Sequence, residues 1–185
     1  MYLHWSMLLM IPGLLLGMYA QAKVSSAYKK YSNIAISGTY TGADVARRML
    51  ADNNLGHIRI EEVAGTMSDH YDPRSGVVRL SHDVYHGRTI AALGIAAHEI
   101  GHAIQDGQGY GALKLRNAVI PVTNFGSMLY FPLLLLGMVM SIPLLIKWGI
   151  ILFSLIVFFQ LVTLPVEFDA SRRALVTLET DGFLN

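Results

Sequence analysis

Five consecutive residues carry the strongest chemical signal in the sequence: His98-Glu99-Ile100-Gly101-His102. On a helix, side chains four residues apart lie on one face, so the imidazoles of His98 and His102 can converge on one ion. Neutral imidazole is a good zinc ligand. Glu99 follows the first of these ligands, where its carboxylate can act as general base toward an attacking water. The pattern therefore predicts a helix that carries a zinc site suited to hydrolysis.

The composition limits what else can hold this metal. The chain has 185 residues and no cysteine, so disulfides, thiolate zinc sites and thiol nucleophiles are excluded. The 14 Lys and Arg balance the 13 Asp and Glu, which leaves no field to attract a polyanion, and no nucleic-acid partner is expected. A third protein ligand must be His, Asp or Glu. The residues leave six candidates open: His70, His82, His86, Glu167, Asp169 and Asp181.

The apolar residues, 53% of the chain, are concentrated in three segments at about 7–22, 119–146 and 150–166. A membrane-spanning helix needs about 20 apolar residues. The first segment predicts an N-terminal transmembrane anchor over residues 1–22, and the other two predict a transmembrane helical hairpin over residues 119–166. Lys147-Trp148-Gly149 predicts the turn of this hairpin at a membrane surface.

Two alternatives to this membrane assignment have less support. Buried core helices of a soluble protein would need a polar face, which so long an uncharged stretch does not offer. A cleaved signal peptide would carry its positive charges before the apolar run, whereas here Lys23 is the first Lys or Arg and follows it. We therefore expect the lipid bilayer to be a partner of this chain.

The distribution of positive charge predicts the orientation of these segments. Lys and Arg near membrane helices stay in the cytoplasm. Seven of them flank the apolar segments on one side, namely Lys23, Lys29, Lys30, Lys114, Arg116, Arg172 and Arg173. Residues 23–118 and the tail at 167–185 should therefore face the cytoplasm, and the amino terminus and Lys147 should face outward.

The predicted cytoplasmic region has enough local signals to form a small domain. Thr41 can cap a helix over 42–53, and a second helix over about 88–105 carries the histidines. Alternation predicts a strand at 57–61. Short strands at 69–71 and 77–80 flank a Pro- and Gly-containing loop that favours a hairpin. The predicted fold class is an α+β membrane protein, mainly helical, with about three transmembrane helices and a small zincin-like domain with a short β-hairpin.

Several stretches of the sequence resemble the YugP family of bacterial membrane zinc metallopeptidases, and the resemblance covers nearly the whole chain. Besides the motif at 98–102, the matching stretches are VEFDASRRA at 166–174, HYDPRSG at 70–76, VRLS at 78–81, NFG at 124–126 and QLVTLP at 160–165. The family is similar in turn to the HtpX and CAAX prenyl protease group of gluzincins.

The resemblance implies a zinc site of His98, His102 and Glu167. The related group usually has an Asp four residues after the ligand Glu, whereas this chain has Ser171, so either Asp169 or Ser171 is expected to orient a ligand His. The implied protein is a membrane-bound zinc metalloendopeptidase of the bacterial cell membrane, multi-pass, with Glu99 as general base and a protein or peptide substrate.

Two other classes of function remain open at this point. A site-2-type intramembrane protease also uses an H-E-x-x-H motif, together with a distant Asp before Gly, and Asp181-Gly182 is present. A non-enzymatic membrane scaffold could keep a zinc site for stability. However, a purely structural zinc site has no use for Glu99. The oligomeric state and further partners are not encoded in any motif of the chain.

Overall fold

Within residues 10–183, which the computed structural model describes, the chain forms helices and one three-stranded sheet. In chain order the elements are α1 Met10–Ser32, α2 Gly42–Asp52, β1 Arg59–Val63, β2 His70–Asp72, β3 Val77–Ser81, α3 His82–Tyr85, α4 Ile90–Gly107, α5 Gly111–Val139 and α6 Pro143–Thr180. The predicted mainly helical character with a small sheet is confirmed.

Helix α2 begins and packs as the sequence predicts. The Thr41 hydroxyl accepts a hydrogen bond from the Asp44 backbone N–H at 3.2 Å, and the Asp44 carboxylate accepts the Thr41 backbone N–H at 3.0 Å. This reciprocal pair is a capping box, which satisfies two donors that the first helical turn leaves free. The apolar stripe of this helix, Val45, Met49 and Leu50, is buried in the core.

The sheet contains the predicted hairpin and one pairing that was not predicted. β2 and β3 are antiparallel, and β1 pairs with β3 in parallel, so the strand order is β1-β3-β2. The strand predicted at 57–61 begins two residues later than expected, at Arg59. Consequently β2 is an edge strand, and the end of β1 lies beside the residue at which α3 begins.

Helix α4 holds the motif against the core. Thr89 caps it by accepting the Ala92 backbone N–H at 3.2 Å, as a Thr at that position favours. Its apolar side is fully buried, with Leu93, Ala96 and Ile100 each 0% exposed. This face packs against α2 and α6, so the histidines of the motif project from a helix that is fixed on two sides.

The turn between the two long apolar helices lies earlier than predicted. α5 ends at Val139 and α6 begins at Pro143, and Ser141 between them has a φ of 53°. Lys147-Trp148-Gly149 lies within α6, so the prediction of a turn at these residues was wrong. Proline fits the first turn of a helix, where its missing N–H costs no hydrogen bond, and the helix therefore starts at Pro143.

Helix α6 continues without a break beyond the apolar segment. It runs through Pro165 to Thr180, so Glu167 lies on the same helix as residues 150–166. The tail at 167–185 was predicted as a cytoplasmic segment that follows the hairpin. In the structure its residues up to Thr180 extend the second helix of the hairpin.

Two helices within residues 10–183 are long and apolar enough to cross a membrane, α5 and α6. In the most apolar stretch of each, only 11% of the residues are buried inside the protein. A core helix of a soluble protein would be mostly buried, so this exposure supports membrane association. α1 is not one of the two, and residues 1–9 of the predicted anchor lie outside the described part of the chain. A third transmembrane helix therefore stays a prediction.

Helices α4 and α6 lie in close contact at Gly101. A Cβ added to Gly101 would lie 2.7 Å from the backbone oxygen of Ala170, closer than two such atoms can pack. The neighbouring atoms are backbone atoms of α6, which cannot turn away as a flexible side chain could. Glycine at this position therefore sets the distance between the helix of the motif and the helix that carries Glu167.

We expect Gly101→Ala to destabilise the protein by about 1–3 kcal/mol, the range typical of overpacked cores, and to weaken zinc binding because Glu167 moves away from the histidines. Thermal unfolding in detergent and zinc titration measure both effects. Gly94→Ala is a matched control on the same helix, because its added Cβ meets no atom within 4 Å. If the two variants have the same thermal stability and the same zinc affinity, the close contact of α4 and α6 at Gly101 is not needed for either property.

Candidate metal centre

Three side chains from two helices converge on one point. His98 Nε2 lies 3.3 Å and His102 Nε2 lies 3.5 Å from the same carboxylate oxygen of Glu167, Oε2. The histidines come from α4, where they are one helical turn apart, and Glu167 comes from α6. All three potential ligand atoms lie within 4.8 Å of one another. The sequence-predicted residues His98, His102 and Glu167 are thus brought together, although their role as zinc ligands stays a prediction.

The donor set and its spacing fit zinc. For zinc bonds of about 2.0–2.2 Å at tetrahedral angles, ligand atoms lie about 3.3 Å apart, and the two distances to Glu167 are 3.3 and 3.5 Å. The two rings are nearly perpendicular, at 82°, with centroids 4.8 Å apart. Both imidazoles present the same atom, Nε2, so the three groups could bind one ion with little rearrangement.

The other nitrogen of each imidazole has its own partner. His98 Nδ1 lies 3.2 Å from the Ser171 hydroxyl oxygen, and His102 Nδ1 lies 3.1 Å from Oε1 of Gln105. When Nδ1 carries the proton and donates it outward, the lone pair of Nε2 is directed to the centre. Ser171 therefore contacts one of the histidines, in the way expected from the sequence for Ser171 or Asp169.

Asp169 acts on the other histidine through an intermediate amide. Gln105 is fully buried and donates from Nε2 to the Val166 carbonyl at 2.8 Å and to Asp169 Oδ2 at 3.0 Å. Asp169 in turn accepts hydrogen bonds from Arg172 and Arg173. A chain of contacts thus fixes the His102 ring. Sequence reasoning missed Gln105, although a polar residue three positions after His102 on an apolar helix was a usable signal.

The carboxylate of Glu99 is held by the edge strand of the sheet. The backbone N–H of Tyr71, in β2, donates to Glu99 Oε2 at 3.0 Å. Burial raises the pKa of Glu99, and the neighbouring His102 and His98 oppose this shift. The Tyr71 hydroxyl donates to Asp106 at 2.9 Å, which ties β2 to the end of α4. Glu99 is therefore fixed beside the histidines but is not one of the three converging groups.

The electrostatics of His102 reflect its close carboxylate. Burial by itself lowers the pKa of this imidazole, but the contacts with Glu167 and Gln105 outweigh burial and leave the pKa of His102 raised. The nearby Glu167 carboxylate therefore favours the protonated form of the His102 imidazole. A bound zinc ion would replace the proton in this pair, since metal binding requires the neutral imidazole.

A cleft opens above these residues. One cavity of about 240 Å³ is lined by His98, Glu99, His102 and Glu167 together with residues of the hairpin and of α5. A second, of about 610 Å³, shares Tyr71, Pro73, Arg116 and Asn117 with the first and extends along α5. The two cavities therefore adjoin at these four residues, between the hairpin loop and the start of α5.

Arg116 projects into this cleft, which the sequence did not reveal. Its Nη2 lies 3.7 Å from Glu167 Oε1. Its Nε is buried and has no hydrogen-bond partner within the described residues. A buried donor without a partner costs about 1–3 kcal/mol. In the sequence Arg116 was interpreted only as one of the positive charges beside the membrane, because an Arg before an apolar segment is typical of that role.

The other candidates for the third ligand lie elsewhere. His70 lies on the rim of the cleft, with Nδ1 2.7 Å from the Ser68 carbonyl oxygen. His82 and His86 form a separate group with Glu62. Asp181 is the residue at which α6 ends, two turns or more beyond Ser171. None of these four belongs to the group around His98 and His102.

Two comparisons with known proteins give a match. The model of a family described as "Putative neutral zinc metallopeptidase" matches residues 6–185. The chain is similar to "Putative membrane protease YugP" of Bacillus subtilis (strain 168), with 51% identity over 176 residues, which is 95% of this chain and 78% of the relative. No solved structure matches the chain. The family description refers to zinc and peptide hydrolysis, and the name of the relative refers to the membrane.

Proposed function

The chain belongs to this family of neutral zinc metallopeptidases, and from that premise we propose that it is a membrane-bound zinc endopeptidase. His98, His102 and Glu167 are the proposed zinc ligands and Glu99 is the proposed general base. The observation that carries the proposal is the convergence of two imidazoles and a carboxylate on one point, beside the partly buried carboxylate of Glu99. That pairing of a metal site and a base is what hydrolysis of an amide requires.

In the proposed reaction, Glu99 moves the proton. A bound zinc ion supplies a Lewis acid and lowers the pKa of the attacking water. Glu99 takes the proton of that water and later delivers it to the nitrogen of the leaving amine. The hydrogen bond from the Tyr71 backbone N–H keeps the carboxylate in place, and burial raises the pKa of Glu99.

Arg116 is the proposed group that stabilises negative charge on the substrate. As water attacks, the carbonyl oxygen of the scissile bond becomes negative, and a preorganised donor in a water-poor site stabilises it most. Arg116 lines the cleft, where its side chain is 30% exposed, and offers a permanent positive charge there. An extended peptide could lie along the path between the hairpin loop and α5, so its carbonyl groups would pass this guanidinium.

A cleavage assay on the purified full-length protein in lipid nanodiscs tests the proposal. We expect hydrolysis of an unfolded protein or a quenched peptide to stop when a zinc chelator is added and to return when zinc is restored. Protein that binds zinc but cleaves no substrate in a broad panel would favour the scaffold alternative. Cleavage that persists in fully zinc-free protein would contradict the proposal.

The site-2-type alternative has less support than a site at the membrane surface. That class places its motif within a spanning helix, whereas α4 is not one of the two candidate membrane helices and packs against α2 and the sheet. We place the candidate centre on the cytoplasmic side of the bacterial plasma membrane. The reason is that most Lys and Arg residues that flank the apolar segments are on the side of the hairpin where Glu167 lies, and such residues stay in the cytoplasm.

Introduced cysteines test this orientation, since the native chain has none. We expect Lys147→Cys to react with a membrane-impermeant thiol reagent in intact cells, and Arg74→Cys to react only after the membrane is opened. Lys147 lies near the beginning of α6, at the end of the hairpin away from Glu167. Labelling of both variants after lysis is the control. Labelling of position 74 in intact cells would invert the topology and move the substrate outside the cell.

A further inference from the structure

A second cluster of potential metal ligands lies at the far end of the sheet. Glu62, in β1, faces two histidines that follow β3: His82 Nδ1 lies 2.7 Å from Glu62 Oε1, and His86 Nε2 lies 3.0 Å from Glu62 Oε2. Each carboxylate oxygen thus contacts one imidazole. The two rings have centroids 4.9 Å apart, and the three ligand atoms lie within 4.8 Å of one another.

Long-range structure, not sequence proximity, assembles this cluster. The parallel pairing of β1 with β3 sets Val63 opposite Ser81, so the end of β1 lies beside the first residue of α3. His82 begins α3, and His86 follows one turn later, which sets both imidazoles on one side. The arrangement resembles the candidate centre on α4, which also has two histidines four residues apart and a carboxylate from a distant element.

We propose that Glu62, His82 and His86 bind a second divalent transition metal ion, separate from the candidate centre on α4. Two imidazoles and one carboxylate are a donor set that suits zinc and its neighbours in the first transition row. Ca²⁺ and Mg²⁺ are excluded as occupants because they take oxygen ligands. The site is assigned from these contacts alone and does not depend on the peptidase proposal.

The exposure of the three side chains indicates an exchangeable ion. His82, His86 and Glu62 are 72%, 54% and 42% exposed, whereas His102 in the candidate centre is 9% exposed. An ion held there keeps water ligands and equilibrates with the solution. We therefore expect weaker metal binding than at the candidate centre on α4. As the free metal concentration is lowered, the second site should lose its ion before the candidate centre does.

A cavity next to the cluster connects it to α1. It has a volume of about 390 Å³, and Tyr28 and Ser32 of α1 line it together with His82, His86 and Thr89, the residue that caps α4. A bound ion would join the end of β1 to α3, directly before the cap of α4. Occupancy should therefore raise the thermal stability of the cytoplasmic part of the chain.

Zinc content and zinc titration of the full-length protein test this second site. In the wild type we expect about two equivalents of zinc at saturation, and about one in His98→Ala/His102→Ala, which lacks the candidate centre. In that double variant, adding zinc should still raise the unfolding temperature. When His82→Ala and His86→Ala are added to this double variant, the protein should bind no zinc, and zinc should no longer raise its unfolding temperature.

Two further variants make the result specific. Glu62→Gln keeps the size of the side chain and one acceptor oxygen but removes the anionic ligand, so weaker binding of the second equivalent is expected without loss of the fold. His57→Ala removes an exposed histidine outside both groups and should change nothing. A second equivalent that survives in the variant lacking His82 and His86 would overturn the proposal. A wild type that binds only one equivalent of zinc would overturn it as well. If that single equivalent is lost in His98→Ala/His102→Ala, the result still supports the proposed peptidase centre.

Discussion

Glu99→Gln is expected to lower the rate of peptide cleavage by at least about 10²–10⁴-fold, the contribution typical of a general acid–base group, while the protein keeps its zinc. The amide of Gln still accepts the Tyr71 backbone N–H that now bonds to Glu99, but it cannot take a proton from water. His98→Ala is expected to lose the metal as well as activity. Cleavage rate and zinc content, measured on the same preparations, separate the two effects.

Glu179→Gln is a matched control for Glu99→Gln, because Glu179 is exposed near the end of α6 and outside the cleft. This variant should cleave at the wild-type rate. A Glu99→Gln protein without zinc would show that Glu99 is a ligand and not a base. Unchanged cleavage by Glu99→Gln would remove the basis of the proposed reaction, whatever the zinc content.

Glu167→Ala is expected to weaken zinc binding by more than about 100-fold, beyond the 10–100-fold that loss of an outer hydrogen-bond partner produces. The variant leaves His98 and His102 without the only carboxylate that lies against both of them among the described residues. Asp181→Ala should bind zinc like the wild type, because Asp181 lies at the end of α6. Zinc affinity measured by competition with a chromophoric chelator compares the two variants.

The comparison of Glu167 with Asp181 also decides between two kinds of site. Full zinc retention in Glu167→Ala, together with loss in Asp181→Ala, would favour the site-2-type arrangement, in which an Asp before Gly is the third ligand. Circular dichroism of both variants shows whether α6 has kept its helical content. Equal, strong loss in both variants with intact helices would mean that the end of α6 reaches the centre in solution.

The sequence predicted the parts of the structure that depend on neighbouring residues. The spacing of His98 and His102 follows from the helical repeat alone. The cap at Thr41 and the hairpin around Gly76 follow from local backbone preferences. Glu167 is different, because only the return of the chain through two long helices brings it to α4. The resemblance to a known family was needed to choose it from the six candidates.

The features that sequence reasoning missed all depend on distant contacts. The parallel pairing of β1 with β3 has no local signature, since parallel strands are joined by long connections. Gln105 stands out in the sequence as a polar residue on an apolar helix, but its partner Asp169 is 64 residues away and only the fold brings the two together. The turn was predicted at Lys147 because a charge in an apolar stretch indicates a surface, yet a Lys near the start of a membrane helix can extend its amine to the headgroups.

The unbroken course of α6 has a consequence for the choice of cleavage site. At about 1.5 Å per residue, its 38 residues span about 57 Å, nearly twice the hydrocarbon thickness of a bilayer of about 30 Å. In the proposed arrangement, the first part of this helix is embedded in lipid, and Glu167, 24 residues after Pro143, lies about 36 Å from the start of the helix. The height of the zinc site above the lipid is therefore fixed by the helix. Cleavage would then occur at a set distance from the point where a substrate chain leaves the bilayer, whatever the residues at that point. The proposed active site would reach loops and cleaved terminal segments of membrane proteins. It would reach soluble proteins only when they bind at the membrane surface.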